Sequence, residues 1–563
     1  MTGTANHTDD VEALRQELTA RDVIIVERDA LITVLRAAIA SFEAQIEALR
    51  ATLVNYANDI EVYKRKLFGT KSERSGTNEL QLALGGLLDQ QAALQKELDA
   101  LVAKPTDDVA VAPAADPVPP PGPRAKPKGR RDLSLSNLPV VTVTLPGGGL
   151  EQTGRLVGYD QSRQLMYVAG GFKVLLTEIP RYEIPGPSGP TVLAVELPVK
   201  LFPRALLHTS AVAFLAVEKF GLGVPHYRLE QHLQLQGVEL DRGTMCRNVE
   251  DLGNTLGATV VEAMFKDALE NSCVLSTDAT GAAIQPGPRN GGPKRACKKG
   301  HFFTIVSDCD HVLFAYAEKH TQDTVAKLFH GYGGYLQSDA SSVYDILDRG
   351  PPNDDGQSVT LVGCWAHARR YFFDAAICKY ETGAEGLTRI RAIYVADNKL
   401  KKLPPAERKL LRKQFVMPLI ESFFLWANRA ARLTTGRNLA TKALGYAVRQ
   451  EQELRRILLD GRLPLDNTRS ERALRKIVVG RKNWMFYGSD THAESAAALF
   501  TIIASCRLHK IDPQAYLSEV ARLLAYWPKT RNLELAPKYW RATRAKLDPG
   551  EIASPVGVIT VPD

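Results

Sequence analysis

Apolar residues recur at intervals of seven between residues 11 and 67. A second apolar series follows three residues after the first and is interrupted by Arg21 and Arg28. A strict seven-residue repeat keeps one apolar seam facing a partner helix along its whole length. We therefore predict a long helix here, within a helical oligomerisation region of residues 1–102, and a parallel dimer formed through it. A helical hairpin within one chain is the alternative. The first series consists of Val11, Leu18, Ile25, Ile32, Ile39, Ile46, Leu53, Ile60 and Leu67.

The pattern changes twice after this helical region. Residues 103–132 are rich in proline and alanine and end in a basic stretch, a composition typical of a semi-rigid linker. Residues 133–200 contain short β-rich runs broken by glycines, namely VVTVTL, RLVGY, QLMYVAGG and FKVLLTEI. These runs predict a small β-rich module.

Residues 201–256 have the apolar spacing of helices interrupted by the break GVEL. The pattern predicts a helix-turn-helix-like region that binds DNA, although a plain helical hairpin has the same pattern. Asp241 is a suitable N-cap for the second helix, so Arg242 and Arg247 are expected to project from its first turns.

Residues 273–363 read as strand, hairpin, helix, strand, helix, strand. The run CVLST leads into Asp278, and GYLQS leads into Asp339. This order predicts an α/β fold with a mixed sheet, in which the two strands that carry these acids lie side by side in parallel. Sites in such sheets lie at the carboxyl ends of the strands, where both acids stand.

Composition narrows the class of protein. The chain has 563 residues and a formal charge of +8, which predicts several domains and favours a polyanionic partner. Its seven cysteines are scattered and form no C-x-x-C pair, so neither a disulfide framework nor a structural zinc site is expected. The N-terminus lacks the features of a signal peptide, and no charge-free apolar run reaches transmembrane length. We predict a cytoplasmic protein.

The segment DNTRSERALRKIVVGRKNWMFYGS, residues 466–489, places Glu471 among six basic residues. A carboxylate surrounded by cations suits a site where phosphates approach an acid that holds metal ions. Two divalent ions about 3.5–4 Å apart clamp the attacking and leaving oxygens of phosphodiester transfer, and Mg²⁺ is held by a few carboxylates. Each acid alone also has an ordinary interpretation, as a helix N-cap for Asp339 or a surface ion pair for Glu471.

Several blocks together resemble the insertion-sequence 66 family of DDE transposases. They are VGCWAHARRYFFDA, PPAERKLLRKQFVMPLIESFF, ILLDGRLPLDNTRSERALRKIVVGRKNWMFYGSDTHAESAAALFTII and HKIDPQAYL, together with the earlier STDATGAAI and GYLQSDASSVY. The N-terminal helix ending in YKRKLFGTKSER and the helical region HTSAVAFLAVEKFGLGVPHYRLEQHLQLQGVELDRGTM also look like family segments. The resemblance covers most of the chain.

The resemblance implies a transposase with an RNase H-like core of residues 257–365 and 463–510. Residues 366–462 would be a helical insertion, and residues 511–563 a C-terminal helical element and tail. It implies that Asp278, Asp339 and Glu471 are the catalytic acids and hold Mg²⁺ or Mn²⁺. Cys364 and His367 match a C-x-x-H signature beside that site, and a packed core pair is the alternative. Candidates for DNA contact are Arg472, Arg475, Arg481, Lys482 and Trp484, although an aromatic residue at such a place is also commonly a core residue.

The expected partners are the DNA of the element's ends and of the target, a second copy of the chain, and small accessory proteins. Two features depart from the family. The cysteines of its zinc module are absent from residues 138–185, so no zinc is expected. The first acid motif reads Asp278, Ala279, Thr280, where the family usually has Asp-Glu-Thr. Two other functions compete with a transposase, namely a catalytically inactive, transposase-derived DNA-binding protein and an RNase H-like structure-specific nuclease.

Overall fold

The computed structural model of the chain divides into two compact units. The first comprises Met1–Gly122, Ala368–Ile393 and Glu421–Arg449, and the second comprises Pro123–His367, Tyr394–Ile420 and Gln450–Asp563. The predicted proline-rich linker lies outside the residues that the structure describes. The described residues are 6–68, 139–168, 170–185, 189–203, 205–286, 296–350, 356 and 358–562.

One unbroken helix, α1, spans Asn6–Phe68 and is about 95 Å long at the usual rise per residue. It confirms the predicted long helix, and the chain does not fold back on itself between residues 11 and 67. The rest of the predicted helical region, residues 69–102, lies outside the described residues. Several seam residues are more than half exposed, whereas Ile60 is buried. The exposed ones are Leu18, Leu35, Ile39 and Phe42.

A four-stranded sheet forms where the β-rich module is predicted. Its centre is a long hairpin of β2 (Arg155–Val168) and β3 (Gly171–Ile184). Strand β1 (Val140–Thr144) is parallel to β3, and β4 (Thr191–Ala194) is antiparallel to it. A 3₁₀ turn at Leu150–Gln152 precedes β2.

The division of RLVGY and QLMYV into two separate runs is wrong. Both belong to β2, because the polar residues between them pair in register with β3. Their side chains find partners across the hairpin, as in the ion pair of 3.2 Å between Asp160 and Arg181. A register shift between Leu156 and Gly158 adds the local twist that a long hairpin needs.

Helices follow the small sheet. They are α2 (Thr209–Ala216), α3 (His226–Leu235), α4 (Arg242–Leu256) and α5 (Glu262–Asn271), with π-helical turns at Val217–Leu222 and Gly257–Val261. The predicted helix, turn and helix are α3, the turn after it and α4. Asp241 is the N-cap of α4, and its side chain accepts a hydrogen bond from the amide of Thr244 at 3.1 Å.

The central sheet has five strands in the order β7-β6-β5-β8-β9. Strands β5, β8 and β9 are parallel, and β6 and β7 form an antiparallel hairpin beside β5. Together with α6 (Gln322–Leu328) and α7 (Asp345–Asp348), this confirms the predicted order of elements. The strands are β5 (Val274–Ile284), β6 (Lys298–Ser307), β7 (Val312–Ala317), β8 (Tyr335–Gln337) and β9 (Thr360–Val362).

The rest of the chain is helical, including the region of the predicted insertion. The helices are α8 (Trp365–Ile377), α9 (Glu381–Leu400), α10 (Pro405–Leu411), α11 (Met417–Leu433), α12 (Leu439–Arg449), α13 (Glu451–Arg455), α14 (Thr468–Trp484), α15 (Asp490–Leu508), α16 (Pro513–Leu523), α17 (Trp540–Arg544) and α18 (Pro549–Ala553). A π-helical turn lies at Arg412–Val416, and 3₁₀ turns lie at Arg456–Leu458 and Lys529–Leu535.

Helix α15 covers the edge of the central sheet. The hydroxyls of Thr501 and Ser505, one helical turn apart, accept hydrogen bonds from the amides of Phe314 and Val312 in β7, at 2.8 and 3.2 Å. Edge strands carry main-chain groups without a partner strand. The two hydroxyls provide hydrogen-bond partners for two amides of this edge. Small residues in α15, such as Ala497 and Ala498, are buried and let the helix approach the strand closely.

No helix in the described part of the chain is both long and apolar enough to cross a membrane. All seven cysteines are free thiols.

Candidate active site

The first two candidate acids stand at equivalent positions on neighbouring parallel strands. Ser276 of β5 pairs with Gln337 of β8. Asp278 and Asp339 each follow two residues later, just beyond the parallel pairing of two strands that lie about 4.8 Å apart. The prediction that Asp278 ends its strand is wrong, because β5 continues to Ile284 through its pairing with β6. Both side chains are half-buried. The prediction that these strands run side by side in parallel is confirmed.

Each of these carboxylates is oriented by a main-chain amide. Asp278 Oδ1 accepts a hydrogen bond from the amide of Ala279 at 2.8 Å, and Asp339 Oδ1 accepts one from Ser341 at 3.2 Å. The buried phenol of Tyr344 responds electrostatically to both acids. Its pKa is raised chiefly by burial, and the negative charges of Asp339 and Asp278 raise it further. The two acids therefore share one local environment.

Helix α14 carries Glu471 in its first turn, where the helix dipole favours a negative side chain. Two hydrogen bonds fasten this turn to the strand that carries Asp278. Ser470 Oγ donates to the carbonyl of Ser276 at 3.0 Å, and Asn467 Nδ2 donates to the carbonyl of Thr277 at 3.4 Å. The residues next to Glu471 are thus bonded to the residues next to Asp278.

Cys364 and His367 both lie beside this turn. Burial raises the pKa of the Cys364 thiol to about 12, so the protonated sulfur donates to Asn467 Oδ1 at 3.1 Å. His367 Nε2 lies 3.8 Å from Glu471 Oε1. The two residues act differently, since Cys364 holds the helix start and His367 faces the candidate acid.

Three further residues position the site, and no sequence motif singled them out. Gln337 is fully buried, and its Nε2 donates to the carbonyl of Pro464 at 2.8 Å, linking β8 to the loop before α14. Asn467 and Ser470 are also fully buried. A signal for Gln337 was present, because a polar residue inside a short buried strand needs a specific partner.

The basic residues of α14 divide into two groups. Arg472, Arg475 and Lys482 are exposed. The guanidinium of Arg481 instead donates to Thr280 Oγ1 at 3.0 Å and to the carbonyl of Gly281. Arg481 therefore fastens the end of α14 to the same strand that Ser470 binds at its beginning.

Trp484 belongs to the packed interior beside this helix. Its ring meets the edges of Phe220 and Tyr487, with centroid distances of 5.9 and 6.3 Å. The ammonium of Lys219 lies 5.9 Å from its centre. These contacts correspond to the core role that the sequence left open for this aromatic residue.

Arg242 and Arg247 are exposed on the first turns of α4, as expected. Arg242 forms an ion pair of 2.9 Å with Glu230 of α3 and lies over the ring of Tyr227 at 5.5 Å. Arg247 donates to Thr244 Oγ1 at 3.0 Å. Both guanidinium groups are therefore partly held by their own helical region.

A second cluster of possible metal ligands lies at the opposite end of β5. In the described part of the chain, Asp267, Cys309 and His311 have ligand atoms that all lie within 4.8 Å of one another. The carboxylates of Asp278, Asp339 and Glu471 are not gathered this closely. Asp267 Oδ2 is 2.7 Å from His311 Nε2 and 3.5 Å from the ammonium of Lys538. Asp267 Oδ1 also accepts a hydrogen bond from Asn271 Nδ2 at 2.9 Å. Both carboxylate oxygens therefore have partners, and the cluster is explained as a buried hydrogen-bond network with one ion pair.

Two family models match the chain. The model described as "Transposase IS66 family" matches residues 204–495, which include Asp278, Asp339 and Glu471. The model described as "Transposase C of IS166 homeodomain" matches residues 56–143.

Similar proteins occur in Sinorhizobium fredii (strain NBRC 101917 / NGR234), and each is described as uncharacterized. The protein y4qI is 26% identical over 547 residues, covering 95% of this chain and 97% of the relative. The protein y4hP is 27% identical over 527 residues, covering 86% of this chain and 88% of the relative. No solved structure matches the chain.

Proposed function

The chain belongs to the IS66 family of transposases, and we propose that it cuts DNA at the ends of a mobile element and joins them to target DNA. The observation that carries this proposal is the arrangement around β5. Asp278 and Asp339 stand at equivalent positions on parallel strands, and the helix that carries Glu471 is bonded to the strand of Asp278.

The proposed fold of the catalytic core is RNase H-like. The support is the strand order β7-β6-β5-β8-β9, in which an antiparallel hairpin joins three parallel strands. Both acids follow the point where the parallel pairing of β5 and β8 ends. Ligands of open α/β sheets bind at this edge.

Asp278, Asp339 and Glu471 would hold two Mg²⁺ or Mn²⁺ ions. The donor set fits, because all three are half-buried carboxylates, and hard divalent ions prefer a few carboxylates with positions left for water and phosphate. When bound, the ions would stabilise charge on the attacking and leaving oxygens. A pair of ions about 3.5–4 Å apart also suits carboxylates that do not converge on a single point.

The residues around the acids have distinct proposed roles. Ser470 and Asn467 would fix where Glu471 stands, and His367 at 3.8 Å would orient its carboxylate. The freed 3′-hydroxyl and the cut phosphate would lie between the acids and the exposed face of α14. The exposed side chains of Arg472, Arg475 and Lys482 would contact phosphates there, whereas Arg481 and Trp484 would act through packing.

Ala279 does not argue against activity. Side chains alternate across a strand, so Ala279 faces away from Asp278 and packs against the main hydrophobic core. Thr280 shares the face of Asp278 and receives the hydrogen bond from Arg481. An acid at position 279 would lie on the other face of the sheet, so its loss leaves the three-acid arrangement intact.

DNA binding would be shared among several parts of the chain. We propose that Arg242 and Arg247 of α4 contact the element's ends, and that α1 joins two copies of the protein through its exposed seam. Small accessory proteins complete the proposed set of partners.

The test is DNA cleavage by the full-length protein in Mg²⁺. The substrates are a duplex that carries the element's own end and a duplex of the same composition with the end sequence shuffled. A transposase cuts the first at the element boundary and joins the product to a second duplex. Cleavage of both duplexes alike, without joining, would indicate a structure-specific nuclease. Binding without any cleavage would indicate the inactive DNA-binding protein.

A further inference from the structure

We propose that five lysines on the surface of the helical insertion bind the phosphate backbone of target DNA. They form the lysine arm, which consists of Lys399, Lys401, Lys402, Lys409 and Lys413 at the end of α9, in the following turn and on the segment from α10 to the π-helical turn. This inference rests on the proposed transposase function and assigns one of its two DNA substrates to a surface.

The lysine arm is exposed and has little negative charge to balance it. All five lysines are exposed, and Glu407 is the single acid between residues 399 and 413. None of the five lies within 4.0 Å of a carboxylate in the described part of the chain. Two large apolar side chains beside them are also exposed, Leu410 at 68% and Phe415 at 52%.

The segment that carries the lysine arm is held rigidly, because two arginines next to the lysines bind Asp397 and a neighbouring loop. Arg412 is fully buried, and its guanidinium donates to Asp397 Oδ1 at 2.7 Å and to three main-chain carbonyls of residues 457–463. Arg408 donates to Asp397 Oδ2 at 2.7 Å and to the carbonyl of Gly461 at 3.2 Å. A buried charge is stable only with such complete pairing.

The anchored loop leads directly into the candidate active site. Residues 457–463 precede Asp466, whose Oδ2 accepts a hydrogen bond from the Tyr394 hydroxyl at 3.0 Å. Lys399 follows Tyr394 by five residues on the same helix, which is about 7.5 Å along the axis. Lys409 directly follows Arg408, whose guanidinium donates to the carbonyl of Gly461 in the same loop. DNA held by the lysine arm would therefore pass close to the start of α14.

The residue type favours target DNA over the element's end. A lysine ammonium is a compact point charge on a flexible stem, which suits phosphate oxygens and imposes less geometry on its partner than the planar fork of arginine. Contacts of this kind go to phosphates and carry no sequence information. The element's ends must be distinguished from other DNA, whereas contact with target DNA has no such requirement.

The experiment reverses four charges of the lysine arm in the full-length chain. The variant K401E/K402E/K409E/K413E is compared with a matched control, K266E/K510E/K529E/K546E, which changes four exposed lysines elsewhere in the same unit. Binding of a duplex without element sequence is measured in EDTA at several salt concentrations. We expect the arm variant to bind at least tenfold more weakly than the control variant at low salt. The slope of log affinity against log salt concentration should also become shallower by about 3.6, because each of the four lost phosphate contacts contributes about 0.9.

A second measurement separates the two DNA substrates. In Mg²⁺, the arm variant is expected to cut the element's end at the wild-type rate and to join the cut end to target DNA at least tenfold more slowly. Equal loss of cutting and joining would overturn the assignment to target DNA, as would binding in EDTA equal to that of the control variant. Because the binding measurement needs no catalysis, it still judges the lysine arm if the wild-type protein cuts nothing and the proposed function fails.

Discussion

Buried polar side chains fix the positions of the candidate acids through hydrogen bonds. Gln337, Asn467 and Ser470 are fully buried, and each spans two segments of chain that are distant in sequence. Buried polar groups that find partners rigidify a site, whereas one left without a partner costs about 1–3 kcal/mol. The geometry of Asp278 and Glu471 therefore depends on neighbours that perform no chemistry themselves.

Replacing Asn467 with alanine is expected to lower both stability and DNA cleavage. The change removes the hydrogen bond that the side chain donates to the Thr277 carbonyl and the one that it accepts from the Cys364 thiol. A buried polar group that loses its partner costs about 1–3 kcal/mol. The measurement is the thermal unfolding midpoint together with the cleavage rate. The exposed Asn398 on α9 is the control, and Asn398→Ala should change neither. An unchanged midpoint in Asn467→Ala would contradict the positioning role.

Buried histidines make stability dependent on pH. Burial lowers the pKa of His226 from 6.5 to about 3, and the charges of Lys219 and His492 add to this effect. Neither ring nitrogen of His226 has a hydrogen-bond partner in the described part of the chain. The folded state keeps this ring neutral while the unfolded state takes up a proton below pH 6.5. Stability is therefore fully present above that pH and is lost as pH falls, by roughly 1.4 kcal/mol per unit.

The corresponding test compares unfolding midpoints at pH 7.5 and 5.5. We expect His226→Leu to show a smaller drop than the wild-type protein, because the variant has no ring to protonate. The exposed His330 supplies the matched variant, and His330→Gln should retain the full wild-type drop. Equal drops in all three proteins would show that His226 does not contribute.

At the scale of elements, the packing of α4 against α15 depends on one glycine. A Cβ atom at Gly253 would lie 2.6 Å from the carbonyl oxygen of Ser495 and 2.1 Å from its Oγ. One of these atoms belongs to the main chain and cannot rotate away. The two helices therefore approach each other to a distance that only glycine allows at this position.

Gly253→Ala is expected to destabilise the second unit by about 1–3 kcal/mol, the usual cost of overpacking. This cost exceeds the gain of roughly 1 kcal/mol or less that alanine brings to a helix interior. Gly257→Ala is the control, because its Cβ would meet Ala498 at an ordinary 3.5 Å. Thermal unfolding should show a lower midpoint for the first variant alone, and equal midpoints would contradict the close approach.

The sequence was sufficient to predict elements whose patterns are local. The order of strands and helices between residues 273 and 363 follows from apolar runs and turn residues, and the N-cap at Asp241 follows from residue type. The union of RLVGY and QLMYV into one strand could not be predicted, because pairing with β3 compensates for the polar residues between them. The roles of Asn467 and Arg412 were also hidden, since their partners lie far away in the sequence.

At the scale of the whole molecule, α1 is the feature that points to self-association. Its seam residues Leu18, Leu35 and Phe42 are more than half exposed on a helix of 63 residues. A second copy of the same helix would bury this seam. An apolar stripe of such length is unfavourable in water.

Deleting residues 1–67 is expected to reduce the protein to a smaller oligomer or a monomer. Light scattering measures the mass of the full-length and shortened chains at the same concentration. The double variant Leu35→Asp/Phe42→Asp offers a milder disruption of the same seam and should have the same direction of effect. An unchanged mass in both proteins would reject the role of α1 in self-association.

The central claim is that Asp278, Asp339 and Glu471 act together as a metal-dependent site for joining DNA. The most direct measurement is the joining of a pre-cut element end to a target duplex in Mg²⁺, by the wild-type protein and by the variants D278A, D339A and E471A. Each variant is expected to lose joining by roughly 10²–10³-fold or more, while duplex binding in EDTA stays within about twofold. The exposed Asp323 is the matched control, and D323A should join DNA normally. If any one of the three variants joined DNA at the wild-type rate, that result would contradict the account.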